Sequence, residues 1–149
     1  MKNIKVLTLG LFFLLSLNSC VSLIVDAVVD DALEATPLTY KEAKPVKAES
    51  QLLFKEKTKE NTSHLVILRD KGFVGKSCKA RILINGKNAG SLDNPGERIE
   101  FWVKPGKVKV EGQTFDCLGK SKDAFEISAT SERKEFVRLS LPLKFKKIS

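Results

Sequence analysis

Three cysteines and one histidine are the residues of this chain scarce enough to be informative about chemistry. Cys20 stands at the end of an apolar run, while Cys78 and Cys117 lie roughly 40 residues apart in the polar remainder. A distant cysteine pair can be a disulfide, part of a metal site or a source of a catalytic thiol. With His64 as the sole histidine, these spacings do not form a zinc pattern. No Cys-x-x-Cys unit points to an oxidoreductase. A Ser-His-Asp arrangement would have to use His64, and no nucleophile motif accompanies it. The expected place of His64 is the end of a strand. Glu97 and Glu100 alternate out of step on one extended segment, so their carboxylates fall on opposite faces and do not form an acid/base pair. Asp93 shares a turn with Asn94, which is turn chemistry before metal chemistry. No Gly-rich phosphate loop occurs. The chain is therefore expected to be non-catalytic, with no metal; a small envelope hydrolase is the least supported class.

The compartment of the cysteines is set by residues 1–20. Lys2 and Lys5 precede an uncharged run from Val6 to Leu17. At 1.5 Å per residue that run reaches about 18 Å, short of the roughly 30 Å hydrocarbon core, so a signal peptide fits better than a permanent span. Leu17-Asn18-Ser19-Cys20 resembles the bacterial lipoprotein signal, with an apolar residue three before the cut, a small residue just before it and a cysteine after it. The resemblance implies cleavage before Cys20, a diacylglycerol on its sulfur and an acylated amine. At about 0.8 kcal/mol per buried CH₂, one acyl chain anchors only marginally, whereas several anchor durably. Val21, where an Asp would retain enterobacterial lipoproteins at the inner membrane, resembles an outer-membrane sorting signal. The expected location is the bacterial envelope, at the outer membrane facing the periplasm. The covalent lipid on Cys20 is the only expected cofactor. In that oxidising compartment, Cys78 and Cys117 are expected to form a disulfide, for which the chain-entropy model gives about 4 kcal/mol.

The chain carries 26 Lys+Arg against 18 Asp+Glu, a formal net charge of +8. Asp26, Asp30, Asp31 and Glu34 concentrate acid before residue 36, so the rest is more basic. A basic envelope surface could meet lipid head groups, acidic glycans or nucleic acid. Its lysines are dispersed and not interleaved with aromatics, which argues against a nucleic-acid groove.

Three sections follow the signal peptide at 1–19. Residues 20–62 hold the lipidated terminus and read as a tether, with helical spacing over 22–35 ended by Pro37. Pro, Lys, Glu, Ser and Thr dominate 37–62, except at Leu52-Leu53-Phe54, which could form a strand or docking segment. From residue 63 the period changes to two. An apolar run marks a strand at His64–Leu68, a short returning strand falls at Ala89–Leu92, and apolar alternation marks strands at Cys78–Ile84, Ile99–Val103, Val108–Val110, Phe125–Ala129 and Val137–Leu141, with turns at Asn85-Gly86, Asp93–Gly96 and Pro105-Gly106. About seven short strands without helices predict an all-β domain over 63–149, a single antiparallel β-sandwich.

The stretch His64–Leu141 also resembles the small PEGA-like β-sandwich domains of an uncharacterised proteobacterial lipoprotein family. The residues that carry this are Arg69, Gly72-Phe73-Val74-Gly75, Ile82-Leu83-Ile84-Asn85-Gly86-Lys87, Gly90, Val103-Lys104-Pro105-Gly106-Lys107 and Phe136-Val137-Arg138-Leu139. The resemblance implies a fold and an envelope location and no reaction.

Trp102, Leu83 and Phe73 are the candidate contact residues. If Phe101 faces the core, Trp102 faces out, and Leu83 points out from its own strand. Either they present an apolar patch, or a covering segment such as Leu52–Phe54 buries Trp102. The expected role is an anchored binding or structural module for another envelope protein or a glycan. The alternative is recognition of an anionic envelope polymer through the basic surface.

Overall fold

The structure is a computed structural model that describes residues 36–72, 77–117, 120–140 and 144–148. The lipoprotein signal, Cys20, the helix expected over 22–35 and Phe73 lie outside the described residues.

Nine strands occur among the described residues: β1 Lys44–Pro45, β2 Ser63–Arg69, β3 Lys79–Ile84, β4 Lys87–Leu92, β5 Glu97–Val103, β6 Gly106–Phe115, β7 Lys122–Ala129, β8 Lys134–Ser140 and β9 Lys144–Ile148. They form two sheets, ordered β1-β5-β2-β8-β9 and β4-β3-β6-β7. The inner faces meet in one core, built from the alternate residues Leu65 and Ile67, Ile82 and Ile84, Ile99 and Phe101, Val108 and Val110, and Val137 and Leu139. The domain is thus the β-sandwich expected, and β2 to β8 are the seven strands expected from the sequence.

One feature departs from the expected antiparallel sandwich. β2 and β8 pair in parallel, as do β1 and β5. A parallel pair needs a long crossover, and here the whole four-stranded sheet lies between β2 and β8 in sequence. β2 also differs from its neighbours in the sheet. Leu65 to Arg69 are all nearly inaccessible. A strand buried on both faces shows a continuous apolar run, which is why Leu65-Val66-Ile67-Leu68 does not alternate.

The cover over the outer face of β2 corrects the tether expected over residues 37–62. Ala43, Val66 and Leu68 form a second buried cluster, joined by Tyr40, Phe136 and Ile148. Leu38 is also buried, and Val46 and Phe54 pack against the main core. Residues 36–54 are therefore a strap on the sandwich, and the folded unit starts near residue 36 instead of 63. Scattered Pro and Lys hid these apolar residues, which follow no single period.

The strap also satisfies the open edge of β5. Lys44 N donates to Gly96 O (2.9 Å), Val46 N to Arg98 O (3.0 Å), and Phe54 O accepts from Trp102 N (2.8 Å). Gln51 Nε2 donates to Glu100 O (2.6 Å). On the other sheet, Leu52 N and Leu53 N both donate to Ala89 O of β4. An unpaired edge is a template for pairing with another chain, and the strap closes both edges on this side. Where it crosses β4, a Cβ on Gly90 would stand 2.5 Å from Ser50 O and 2.8 Å from Ile99 Cδ1, so only glycine allows the approach.

At the strap's beginning, Leu38 is gripped from both sides. Its N donates to Asp70 Oδ1 (3.4 Å) and its O accepts from Arg138 Nη2 (3.1 Å), while Arg138 Nε lies 3.1 Å from Asp70 Oδ1. Thr36 and Lys71 exchange backbone hydrogen bonds beside this clamp.

Two local expectations are met in detail. Asn85 and Gly86 have φ of 49° and 76°, the two positive values a type I′ hairpin turn needs. Cys78 and Cys117 form a disulfide with a Cα–Cα distance of 4.8 Å. It joins the ends of neighbouring β3 and β6 where Lys79 pairs with Phe115. The double variant Cys78→Ser/Cys117→Ser should keep the fold and lose about 2–4 kcal/mol of stability. Urea unfolding of the oxidised protein and the variant measures this, and equal midpoints would show that the bridge constrains nothing.

Candidate functional site

The outer face of the five-stranded sheet gathers most of the polar groups that could do chemistry. Register places its side chains in three cross-strand rows over β5, β2 and β8: Trp102, His64, Lys134; then Glu100, Val66, Phe136; then Arg98, Leu68, Arg138. Tyr40 of the strap lies on this grid. Its hydroxyl donates to Glu100 Oε1 at 2.7 Å, and its ring meets Phe136 edge-on with centroids 5.9 Å apart. The Arg98 guanidinium lies 4.4 Å and the Lys134 ammonium 4.2 Å from the centre of that ring. Arg98 also donates to the backbone oxygens of Tyr40 and Ala43.

Glu100 is the hub. Its Oε1 accepts from Tyr40 and from Arg98 Nε (3.0 Å); its Oε2 faces His64 Nε2 at 2.8 Å and Lys134 Nζ at 3.9 Å. Burial disfavours the charged carboxylate, yet the hydrogen bonds from Tyr40 and Arg98, with Lys134 and His64 beyond them, together outweigh it and hold Glu100 below the usual glutamate range. His64 moves the other way from the expectation for a histidine beside a carboxylate. Burial, helped by the Lys134 charge, overrides Glu100 and lowers it below its ordinary 6.5. At neutral pH His64 is therefore an uncharged imidazole. Its ring stacks on Trp102 with centroids 4.5 Å apart and planes 12° from parallel.

Every group in this cluster has a structural partner. Carboxylate, phenol and guanidinium are spent on fastening the strap to the sheet, and the imidazole on Glu100 and Trp102 within the sheet. The arrangement can hold charge in place; it presents no nucleophile beside a base. Among the described residues no group of His, Cys, Asp and Glu is arranged to hold a metal ion, and no helix is long and apolar enough to cross a membrane.

The candidate contact residues separate. Trp102 is half-buried. His64 occupies one side of its indole, the Lys57 ammonium stands 5.6 Å from its centre, and its backbone N is tied to Phe54. Leu83 points outward from the opposite sheet, so the two cannot form one patch. Of the segment proposed to cover Trp102, only Phe54 turns inward. Leu52 and Leu53 are 53% and 41% exposed. Glu97 caps its turn by accepting from Asp93 N and Asn94 N (2.8 and 2.9 Å), and Glu100 lies on the other face, as alternation requires. The Tyr40–Glu100 pair, 60 residues apart, was not legible; the Arg98-x-Glu100 spacing on one strand face was the available signal.

Comparison with protein-family models, with curated proteins and with solved structures returns no match for this chain.

The stacked pair yields a pH prediction. Because folding lowers the His64 pKa, the unfolded chain binds the proton more readily, and His64 erodes stability as pH falls from about 6.5 toward its folded value. The single tryptophan reports this directly. Its fluorescence should titrate with a midpoint below 6.5, and His64→Gln should abolish the transition. A midpoint at or above 6.5 would mean that Glu100 dominates after all.

Proposed function

We propose that this chain is a lipid-anchored bacterial envelope protein whose sandwich binds or supports another envelope component without catalysis. The observation that carries the reading is Leu17-Asn18-Ser19-Cys20 at the end of an uncharged run too short to span a bilayer. The Cys78–Cys117 disulfide fits an oxidising compartment. The Glu100 cluster supports the non-catalytic part, because Glu100 and Arg98 are engaged in holding Tyr40 and Ala43 on the sheet and His64 is paired with Glu100. The PEGA-like resemblance belongs to the same proposal. With the strap folded, only residues 21–35 separate Cys20 from the domain. At full extension they reach about 50 Å.

The basic outer face of the four-stranded sheet favours a second reading, recognition of an anionic envelope polymer. Lys107, Lys122 and Arg81 are exposed there. Binding by that route should weaken steeply as salt rises toward a few hundred millimolar, where the Debye length falls below about 8 Å.

Anchorage is tested by Cys20→Ala. In a bacterial host the wild type should incorporate labelled fatty acid and sediment with membranes, and the variant should do neither. Wild-type protein that is unlabelled and soluble would overturn the anchored reading.

A further inference from the structure

A cleft of about 170 Å³ opens where the strap crosses the edge of β4 onto the outer face of the four-stranded sheet. It is separate from the Glu100 cluster. Arg81, Phe115, Leu52, Asn88, Ser91 and Glu49 line it. Three observations give it a chemistry. First, Arg81 is exposed and makes no hydrogen bond or ion pair to any described residue; its guanidinium only lies 5.1 Å from the centre of the Phe115 ring. Neighbouring Lys79, by contrast, pairs with Asp116 at 3.1 Å. Second, Leu52 is 53% exposed on the opposite wall, the most exposed large apolar side chain described. Third, the walls are fixed. Gly90 lets Ser50 seat against β4, and the Cys78–Cys117 bridge ties the strand ends that carry Lys79 and Phe115.

We infer that this cleft captures the C-terminal end of a polypeptide, with the free carboxylate on Arg81 and an apolar last side chain against Leu52. A guanidinium holds a carboxylate through two parallel hydrogen bonds. Asn88 and Ser91 add neutral donors, and Glu49 can accept from the peptide N–H. The volume suits one residue, since drug-sized ligands fill about 300–1,000 Å³. Two alternatives fit less well. A sugar would need an open aromatic face, and both Arg81 and Lys79 already sit against Phe115. Addition of a whole strand to β4 is blocked where Ala89 O already accepts from Leu52 N and Leu53 N. This inference names a ligand for the binding module proposed above. Its test in solution is independent of the anchor, so failure of either leaves the other standing.

The full chain in detergent is titrated with dye-labelled short peptides ending in leucine, carrying either a free carboxylate or a C-terminal amide. The free acid should bind about tenfold more tightly than the amide, the scale of one charge-assisted hydrogen-bonded contact. Arg81→Gln should erase that preference with an unchanged urea midpoint, and Leu52→Ser should weaken acid and amide alike. Equal binding of acid and amide, absence of binding, or a preference that survives Arg81→Gln overturns the inference. Displacement by a trigalacturonate at lower concentration than by unlabelled peptide assigns the cleft to glycan and overturns it too.

Discussion

The sandwich depends on β2 being buried on both faces. Leu65 and Ile67 fill the inter-sheet core, and that alone would leave Val66 and Leu68 in water. Fully burying an aliphatic side chain contributes about 1.5–3 kcal/mol, so covering this outer pair is worth several times thermal energy. Tyr40 and Ala43 provide the cover, together with Phe136 and Ile148 from the sheet itself. The position of the strap follows from that need, and so does its role on the sheet edges. Once residues 40–43 lie over β2, residues 44–54 have to descend past β5 and β4, where they meet their free backbone groups.

Polar groups set where the strap sits, and some do so at a cost. Burial pushes the Asp70 carboxyl above its usual range despite Arg138 beside it and the hydrogen bond from Leu38 N. Desolvation therefore exceeds attraction there, the usual arithmetic of a buried pair. The clamp secures register more than it adds stability: an alternative seating of Leu38 would cost the buried Asp70 carboxylate the hydrogen bond from Leu38 N and leave Arg138 Nη2 without Leu38 O. Glu100 stands on the other side of the balance, since donors from two elements overcome its burial. Its contribution is present above the ordinary glutamate range and fades as pH falls through its depressed folded value. The outer face thus joins one group held against its preference to one held in accord with it.

Strand content was legible because period-two alternation survives wherever one face is wet. Ile82 and Ile84, Phe101 and Val103, and Val137 and Leu139 all face the core as their spacing demands. Asn85-Gly86 specified its turn through two positive φ angles. The disulfide followed from compartment and count. What failed has one physical origin. Leu38, Tyr40 and Ala43 contribute singly, from irregular backbone, to the outer face of the five-stranded sheet, and Phe54 to the main core. No period records such residues, and the surrounding Pro and Lys resemble solvent-exposed chain. The parallel β2–β8 pairing was hidden for a related reason, because alternation gives the faces of a strand and not its neighbours. The patch of Trp102 with Leu83 failed in the same way: each side chain points outward, but from different sheets.

The clamp at Leu38 has a mechanical meaning. Tension entering the domain from its N-terminal side arrives first at the Thr36–Lys71 backbone pair and at the Asp70–Arg138 grip. They hold onto the end of β2 and onto Arg138 of β8, parallel neighbours inside the sheet, instead of an edge strand that could be peeled one bond at a time. The load is shared across a ladder six residue pairs long. A pull at residue 36 therefore reaches that central ladder before it reaches the strap's contacts with the sheet edges.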